Sequence, residues 1–271
     1  MKDIQFSDLD YHSCEFEHLY GEKIHLIKNP YLLSLLTKFS MPFMVQPILN
    51  MVVKELYTGL VNEAVNNHFE REQICVDTRM KPLNPNGQFS GEVIKNDQRV
   101  VTVNLARAGT FPSHLCFEQL SLLLNPEFVR QDHFYLNRKT NDNGEVIGVD
   151  ASGSKIGGDV EDAIVLFPDP MGATGGSLCH VVDYYKNQVE GKAKKIISLN
   201  LIVTPEFVRK LSSEHPDVEI YALRMDRGLS DKKALASIPG KHPELESGLN
   251  EIQYIVPGAG GVGEILNNSY V

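Results

Sequence analysis

Residues Ala163–Ser177, AIVLFPDPMGATGGS, join a short apolar run to a glycine-rich loop. The run Ala163–Phe167 has the length and β-branched content of a strand buried on both faces, and Asp169 and Pro170 end it. Beyond the loop, apolar residues recur at helical spacing, namely Leu178, Val181, Val182 and Tyr185. The stretch therefore predicts a strand, a loop and the N-terminus of a helix.

This loop is predicted to bind a phosphate group. Unpaired N–H groups and the positive end of the helix dipole favour an anion there, and Gly175 and Gly176 allow a close backbone approach. A plain strand-to-helix turn is the alternative. The stretch lacks both the lysine of G-x-x-x-x-G-K-[ST] and the glycine spacing of G-x-G-x-x-G, so neither common nucleotide fingerprint accounts for it.

The run DPMGATGGS resembles the phosphoribosyl pyrophosphate (PRPP) loop of uracil phosphoribosyltransferases over nearly its whole length. The family has a bulky apolar residue where this chain has Gly172. The resemblance implies that Asp169 is a catalytic residue on the ribose hydroxyls and that the turn from Ala173 to Ser177 holds the 5′-phosphate. The residues that it assigns to PRPP binding in this loop are Asp169, Pro170, Met171, Gly172, Ala173, Thr174, Gly175, Gly176 and Ser177.

Two arginines follow other predicted strands. Arg107 comes after the apolar run Arg99–Val103 and before a helical pattern, which places it at the carboxyl end of a parallel strand, where ligands bind in open α/β sheets. A surface salt bridge is the alternative for this residue. Similarity to the family's L-R-A-G and L-Y-R segments implies catalytic, pyrophosphate-binding roles for Arg107 and Arg138, with Asn137 standing where the family has tyrosine.

The segment YIVPGAGGVGE is a second specific match, to the family's Y-I-x-P-G-x-G-D-x-G-D, which reads uracil through main-chain groups. Gly261 replaces the first acidic residue of that pattern, and Glu264 stands at the second. The residues for which the resemblance implies contact with the base are Ile255, Gly260, Gly261 and Val262.

The repeated order of apolar strand, turn and helix predicts an α/β protein with a parallel sheet flanked by helices. The resemblance implies the type I phosphoribosyltransferase fold, with a small hood and a β-arm. We expect one domain over residues 1–271, with an N-terminal extension over 1–28 and a surface insertion around 230–248. A long amphipathic helix is predicted from Pro47 to about Phe69.

Residues 139–162 are rich in Gly, Asp and Ser and poor in apolar residues. Such a composition is typical of a linker or a mobile lid. Lys155 aligns loosely with a lysine that the family carries in a flexible loop at this position, although an exposed lysine in a loop is usually only solvated.

Composition narrows the class of protein. A net charge of -9 argues against a nucleic-acid partner, and no apolar run reaches membrane-spanning length. The four cysteines are scattered, as expected for reduced thiols of a cytoplasmic protein. The group of His12, Cys14 and His18 lacks a second ligand pair at matching spacing, so we predict no protein metal site.

The reaction implied by the resemblance is the transfer of ribose 5-phosphate from PRPP to uracil in pyrimidine salvage, giving UMP and pyrophosphate. It implies Mg²⁺ bound with PRPP and a homo-oligomer, either a dimer or larger. The change at Gly261 leaves two alternatives open: a PRPP- or nucleotide-binding regulatory homologue without turnover, and a phosphoribosyltransferase for a different base.

Overall fold

The computed structural model describes residues 3–140 and 146–269, with the backbone alone for 136–140 and 146–152. Within these residues the strands are β1 (Ile24–Leu26), β2 (Arg71–Asp77), β3 (Gln88–Ile94), β4 (Val100–Ala106), β5 (Val129–Thr140), β6 (Val146–Lys155), β7 (Ile164–Pro168), β8 (Met171–Gly172), β9 (Lys195–Val203) and β10 (Glu219–Met225). The helices are α1 (Pro30–Phe39), α2 (Ile48–His68), α3 (Thr110–Leu123), α4 (Gly176–Asn187), α5 (Pro205–Glu214), α6 (Lys232–Leu235) and α7 (Val262–Asn267).

Eight of the described strands form one sheet in the order β1-β10-β9-β7-β4-β5-β6, with β8 paired to β9. The strand pairs of this sheet are parallel except for β5 with β6. Every residue of β7 is buried, as expected for a central strand that is covered on both faces. The prediction of a parallel sheet flanked by helices is confirmed.

The two faces of the sheet carry separate apolar cores. Alternate residues of a strand point to opposite faces, so Ile164 and Leu166 pack with α1, α2, α3 and α7. Val165 and Phe167 pack with α4 and α5 on the other face. The loops that follow the carboxyl ends of the strands therefore rest on a rigid, two-sided support.

Helix α2 matches the prediction made from the apolar spacing of its sequence. It runs from Ile48 to His68, with Pro47 at its N-cap, and its buried face is Leu49, Val52, Val53, Leu56, Tyr57, Leu60, Val61, Ala64 and Val65. Strands β2 and β3 form a separate antiparallel pair, which is the β-arm.

The expectation for residues 139–162 was wrong over much of its length. Strand β5 continues to Thr140, and β6 runs antiparallel to it, so that His133 lies opposite Lys155. The Gly, Asp and Ser content of the segment favoured a loop. Strand formation, however, depends more on pairing with a neighbouring strand than on intrinsic preference, and composition does not show the neighbour. Residues 141–145 lie outside the described part of the chain.

The N-terminal segment and the stretch 230–248 both make contacts with the main body. Strand β1, which falls within residues 1–28, pairs with β10 at the edge of the sheet. The stretch 230–248 contains the short helix α6 and is held by the buried Glu246, which accepts hydrogen bonds from Arg227 (3.2 Å) and from the N–H of Gly240 (2.8 Å). Among the described helices, none has the length and apolar character that a bilayer crossing requires.

Candidate active site

The glycine loop (residues 169–177) connects β7 to α4 at the carboxyl end of the sheet. Gly175 has a φ of +80°, in the left-handed region, and it is the N-cap of α4 without a side-chain cap of its own. The N–H groups of the first turn of α4 consequently face the loop without the partners that they would have inside a helix. Glycine at 175 suits this conformation, because L side chains rarely adopt it.

The main chain of the glycine loop is anchored by the residue that follows β9. The hydroxyl of Thr204 donates to the carbonyl of Ala173 (2.6 Å) and accepts from the N–H of Phe207 (3.0 Å). The N–H of Thr204 also donates to the carbonyl of Gly172 (3.0 Å). One side chain thereby caps α5 and fixes the loop.

Gly172 lies under a closely packed aromatic ring. A Cβ at this position would lie 3.0 Å from Cγ1 of Val203 and 3.1 Å from ring atoms of Phe207. Phe207 therefore fills the space that a bulky apolar residue at 172 would need. The comparison with the family's loop showed that Gly172 lacks a bulky side chain, but the sequence could not show which residue fills the space.

Asp169 opens the loop directly after β7. The amide of Asn200 donates to its carbonyl (2.7 Å), and its carboxylate accepts a long contact from the N–H of Met171 (3.5 Å). The residue keeps some solvent contact, but protein atoms surround the carboxyl group, and this burial raises the pKa of Asp169 to about 6. Among the described residues, its carboxylate has no ion-pair partner.

The other predicted residues of the loop differ in access. Pro170, Gly172 and Gly175 are buried, whereas the partly exposed members are Met171, Ala173, Thr174, Gly176 and Ser177. A Cβ on Gly176 would meet only the hydroxyl of Thr174, at 3.8 Å. The exposed side of the loop is thus open at the residue where α4 begins.

Arg107 belongs to a turn (residues 106–109) that follows β4, the strand beside β7. The Ala106–Arg107 peptide bond is cis. Gly109 lies so close to the end of β7 that a Cβ on it would be 3.0 Å from the carbonyl oxygen of Pro168. The turn that carries Arg107 is therefore packed against the strand that leads into the glycine loop.

The C-terminal segment (residues 255–264) lies on the same side. The buried carboxylate of Asp226 accepts from the N–H of Gly258 (2.7 Å) and from Arg224 (2.9 Å). Ile255 and Val262 are buried, and Gly260 has a φ of +73°. The hydrogen bonds of Asp226 therefore attach the C-terminal segment to the end of β10.

Arg107 connects its turn to the C-terminal segment. Its two terminal nitrogens donate to the carbonyl of Ser269 (2.9 Å) and to the carboxylate of Glu264 (3.3 Å). A Cβ on Gly263 would lie 3.6 Å from Ala108, an ordinary contact. Three segments that are distant in sequence therefore come together at the carboxyl ends of the strands. They are the turn 106–109, the glycine loop and the C-terminal segment.

The family profile described as "Uracil phosphoribosyltransferase" matches residues 26–240 of the chain. The chain belongs to the uracil phosphoribosyltransferase family. The match confirms the resemblance drawn from the sequence.

Curated relatives carry the same description. A uracil phosphoribosyltransferase of Acholeplasma laidlawii is 35% identical over 113 residues, which are 42% of this chain and 43% of the relative. One from Lactococcus lactis subsp. cremoris is 36% identical over 112 residues, 41% of this chain and 43% of the relative. The chain thus spans less than half the length of these relatives in the matched region.

A solved structure, that of the AQ2163 protein from Aquifex aeolicus, has a similar fold. It superposes with a TM-score of 0.66 at 21% identity, covering 92% of this chain and 99% of that one. At this identity the likeness concerns the fold alone.

Two further predicted residues, Arg138 and Lys155, lie on the antiparallel pair of β5 and β6. Arg138 lies in β5, where its backbone pairs with Val149, and its side chain is outside the described part of the structure. Lys155 is exposed on β6. The roles of both residues remain predictions.

A cavity of about 420 Å³ lies between the connection of α1 to α2 and the C-terminal segment. Its walls are mainly apolar side chains from the connection of α1 to α2, together with the main chain of the C-terminal segment. The lining includes Phe39, Met41, Met44, Leu49, Gly260 and Val262. Two residues that the resemblance assigns to the base therefore border this space.

Two groups of side chains in the described structure could hold a metal ion, and neither contains a predicted site residue: His25, His68 and Glu219, and Cys179, Glu214 and His215. Glu219 already accepts from Lys23 (2.7 Å) and Lys195 (2.9 Å), so its carboxylate belongs to an ion-pair network. Burial raises the pKa of Cys179 to about 12, which keeps the thiol protonated and disfavours metal binding.

Glu264 stands at the second acidic position of the family's pattern, but the sequence did not show its contacts. Its carboxylate pairs with Arg107 and lies over Gly261, where the family's first acidic residue would stand. The one available signal was its spacing, since an acidic residue three positions after Gly261 lies one turn along α7.

Proposed function

We propose that the protein is a phosphoribosyltransferase that transfers ribose 5-phosphate from PRPP to N1 of uracil, giving UMP and pyrophosphate. Such a reaction would return free uracil to the nucleotide pool, as in pyrimidine salvage. The observation that carries the proposal is the meeting of the turn 106–109, the glycine loop and the C-terminal segment at one edge of the sheet.

Each segment suits one part of the substrates. The glycine loop offers main-chain N–H groups at the start of α4 for the 5′-phosphate, and Asp169 offers a carboxylate for the ribose hydroxyls. Arg107 would bind pyrophosphate, helped by Arg138. The main chain at Gly260 and Gly261 would read the base.

Mg²⁺ would enter with PRPP and keep most of its waters. The donor set fits such an ion, because Asp169 is a largely enclosed carboxylate without a cationic partner among the described residues, and hard cations prefer oxygen ligands. Bound there with pyrophosphate, the ion would neutralise charge on the leaving group.

The chemistry asks the protein mainly to position two substrates and to stabilise charge. The bond from the anomeric carbon to pyrophosphate breaks, and the ribose passes through an oxocarbenium-like state before N1 of uracil bonds to it. The N1 proton of uracil is lost to solvent or to the departing pyrophosphate. Arg107 stabilises the negative charge that develops on pyrophosphate.

A second candidate is transfer to a different base. The cavity beside Gly260 and Val262 favours it, because the cavity is walled largely by apolar side chains such as Met41 and Met44. A base with an apolar substituent would gain from that lining, whereas uracil would use the main chain alone.

The test is labelled PRPP with Mg²⁺ and a panel of nucleobases, followed by titration calorimetry with UMP. We expect UMP to form with uracil, and Arg107→Gln to form much less under the same conditions. Nucleotide formed only from another base would establish the second candidate. Binding of PRPP and UMP without product would show a regulatory homologue, and failure to bind either would contradict the proposal.

A further inference from the structure

The carboxylate of Glu264 lies between two of the segments that form the site. Its Oε1 accepts a hydrogen bond from Arg107 (3.3 Å). Its Oε2 lies over Gly261 so closely that a Cβ on that residue would collide with it. A side chain at 261 would therefore displace the flexible end of the Glu264 side chain from its present position.

The backbone does not explain the glycine at 261. Its φ is -77°, which every L residue adopts readily, whereas the neighbouring Gly260 has a φ of +73°. Space distinguishes Gly261 from its neighbour, since nothing lies within 4 Å of a Cβ on Gly260. The absence of a side chain at 261 thus admits the carboxylate of Glu264.

The ion pair itself contributes little to folding. The side chains of Arg107 and Glu264 are 41% and 29% exposed, and pairs of this kind are worth about 0–1 kcal/mol. Its effect is to hold the guanidinium. Arg107 has five N–H donors, so Glu264 and the carbonyl of Ser269 can fix its terminal nitrogens while other N–H groups remain for a ligand.

We propose that Glu264 is a positioning residue that orients Arg107 for the leaving pyrophosphate, and that the glycine at 261 leaves its carboxylate in the place where it meets Arg107. The inference rests on the proposed function. The carboxylate acts through Arg107 and does not touch the reacting atoms. A carboxylate carried by residue 261 would begin near the place where that of Glu264 ends, so moving the charge there tests whether its place or the residue that carries it matters.

Three changes test this, with Glu251→Ala, an exposed acid of the same region, as the matched control. Glu264→Ala removes the carboxylate, Gly261→Val fills its space, and the double change Gly261→Asp with Glu264→Ala moves it to the other position. The readouts are kcat for nucleotide formation, the Kd for PRPP and the thermal midpoint of each variant.

We expect Glu264→Ala and Gly261→Val each to lower kcat by on the order of 10²-fold, the loss seen when one charge-stabilising contact is removed from an active site. The Kd for PRPP should change by less than threefold, because a negative charge near pyrophosphate is lost together with the orientation of Arg107. The double variant should recover at least tenfold over Glu264→Ala, and Glu251→Ala should match the parent.

Parental kcat in Glu264→Ala, or a double variant no faster than Glu264→Ala, would overturn the inference. So would a loss of PRPP affinity and thermal stability that parallels the loss of rate, since a merely structural role predicts that pattern. A parent that forms no nucleotide from any base overturns the proposed function instead, and does so without reference to the variants.

Discussion

The glycine loop and the C-terminal segment both lie at the carboxyl ends of the strands, but different contacts attach each of them to the sheet. The glycine loop is fixed through its main chain, by β8 pairing with β9 and by the hydroxyl of Thr204 on Ala173. The C-terminal segment is held by its main chain at one end, where Val256 bonds to Gly228 and Gly248, and beyond that point by charged side chains, with Asp226 binding the N–H of Gly258 and Arg107 binding Glu264.

This difference separates two tasks. A loop that is built into the sheet presents fixed N–H groups, which suits the constant part of the substrate, the phosphorylated ribose. Beyond Val256 the anchors of the C-terminal segment are the side chains of Asp226 and Arg107, so this part can change with a few substitutions. We therefore expect substitutions in the first region to affect PRPP binding, and those in the second to affect use of the base.

The largest effect is expected for Gly176→Val in the glycine loop. A Cβ at this position would meet only the hydroxyl of Thr174, so the fold should survive, but the branched side chain would fill the place proposed for the phosphate. Losing two or more charge-assisted hydrogen bonds of about 1.5–3 kcal/mol each should weaken PRPP binding at least 10²-fold. Titration calorimetry with PRPP measures this.

Gly176→Ala is the graded control for that variant and should lie between it and the parent. Circular dichroism checks that all three proteins are folded. If Gly176→Val binds PRPP as the parent does, the glycine loop is structural and the comparison fails.

A smaller loss is expected for Asp169→Asn. The substitution keeps the shape of the side chain but removes its charge, and a charge-assisted contact to hydroxyls is worth about 1.5–3 kcal/mol, or about 10- to 10²-fold in PRPP affinity. The KM for uracil should stay within about twofold of the parent value, because this residue belongs to the other region. Unchanged PRPP affinity in the folded variant would remove Asp169 from the site.

Asp226→Asn weakens an anchor of the C-terminal segment and should lower the efficiency with which the base is used. One carboxylate oxygen of Asp226 accepts from Nε of Arg224, and the other accepts from Nη2 of Arg224 and from the N–H of Gly258. An amide at 226 would place an NH2 group against at least one of these donors, which is then left unpaired at a cost of about 1–3 kcal/mol. We expect a similar loss in unfolding free energy and about a tenfold lower kcat/KM for uracil, with the Kd for PRPP unchanged. An equal loss of PRPP affinity would show that the two regions are not separable.

The smallest effect concerns pH. The pKa of Asp169 is raised to about 6 by burial. In the proposed function the ionised form is the one that would accept hydrogen bonds from the ribose. PRPP affinity should therefore fall as pH decreases through 6, by about twofold at pH 6 and about tenfold at pH 5. In Asp169→Asn the PRPP affinity changes with pH only because PRPP itself titrates. The ratio of the parent's PRPP affinity to that of the variant therefore isolates the effect of the Asp169 carboxylate. A ratio that is constant from pH 5 to 8 would contradict the assignment.

The sequence predicted the parts of the site that are local in the chain. The apolar run of β7, the glycines and the helical pattern after them lie within a few residues of one another, so their periodicity and turn chemistry are visible in one window. Arg107 was accessible for the same reason, because it follows its strand directly.

What the sequence could not predict depends on contacts between distant residues. Phe207 fills the space beside Gly172, and Glu264 lies over Gly261 and pairs with Arg107. The contacts of Phe207 with Gly172 and of Glu264 with Arg107 each join residues that are far apart in the sequence. The pairing of β6 with β5 was missed for a related reason, since the segment's composition is that of a loop until a partner strand is considered.

The position of β1 at the sheet edge bears on the order in which the chain can assemble during synthesis. Strands β4, β5, β7, β9 and β10 can add to one another as they emerge, but β1 leaves the ribosome first and must wait for β10, almost a whole chain length later. Until then the edge that β10 will occupy stays open, and open edges invite pairing with other nascent chains. Protein cut short before residue 219 should therefore aggregate more readily than full-length protein, even though its glycine loop is complete.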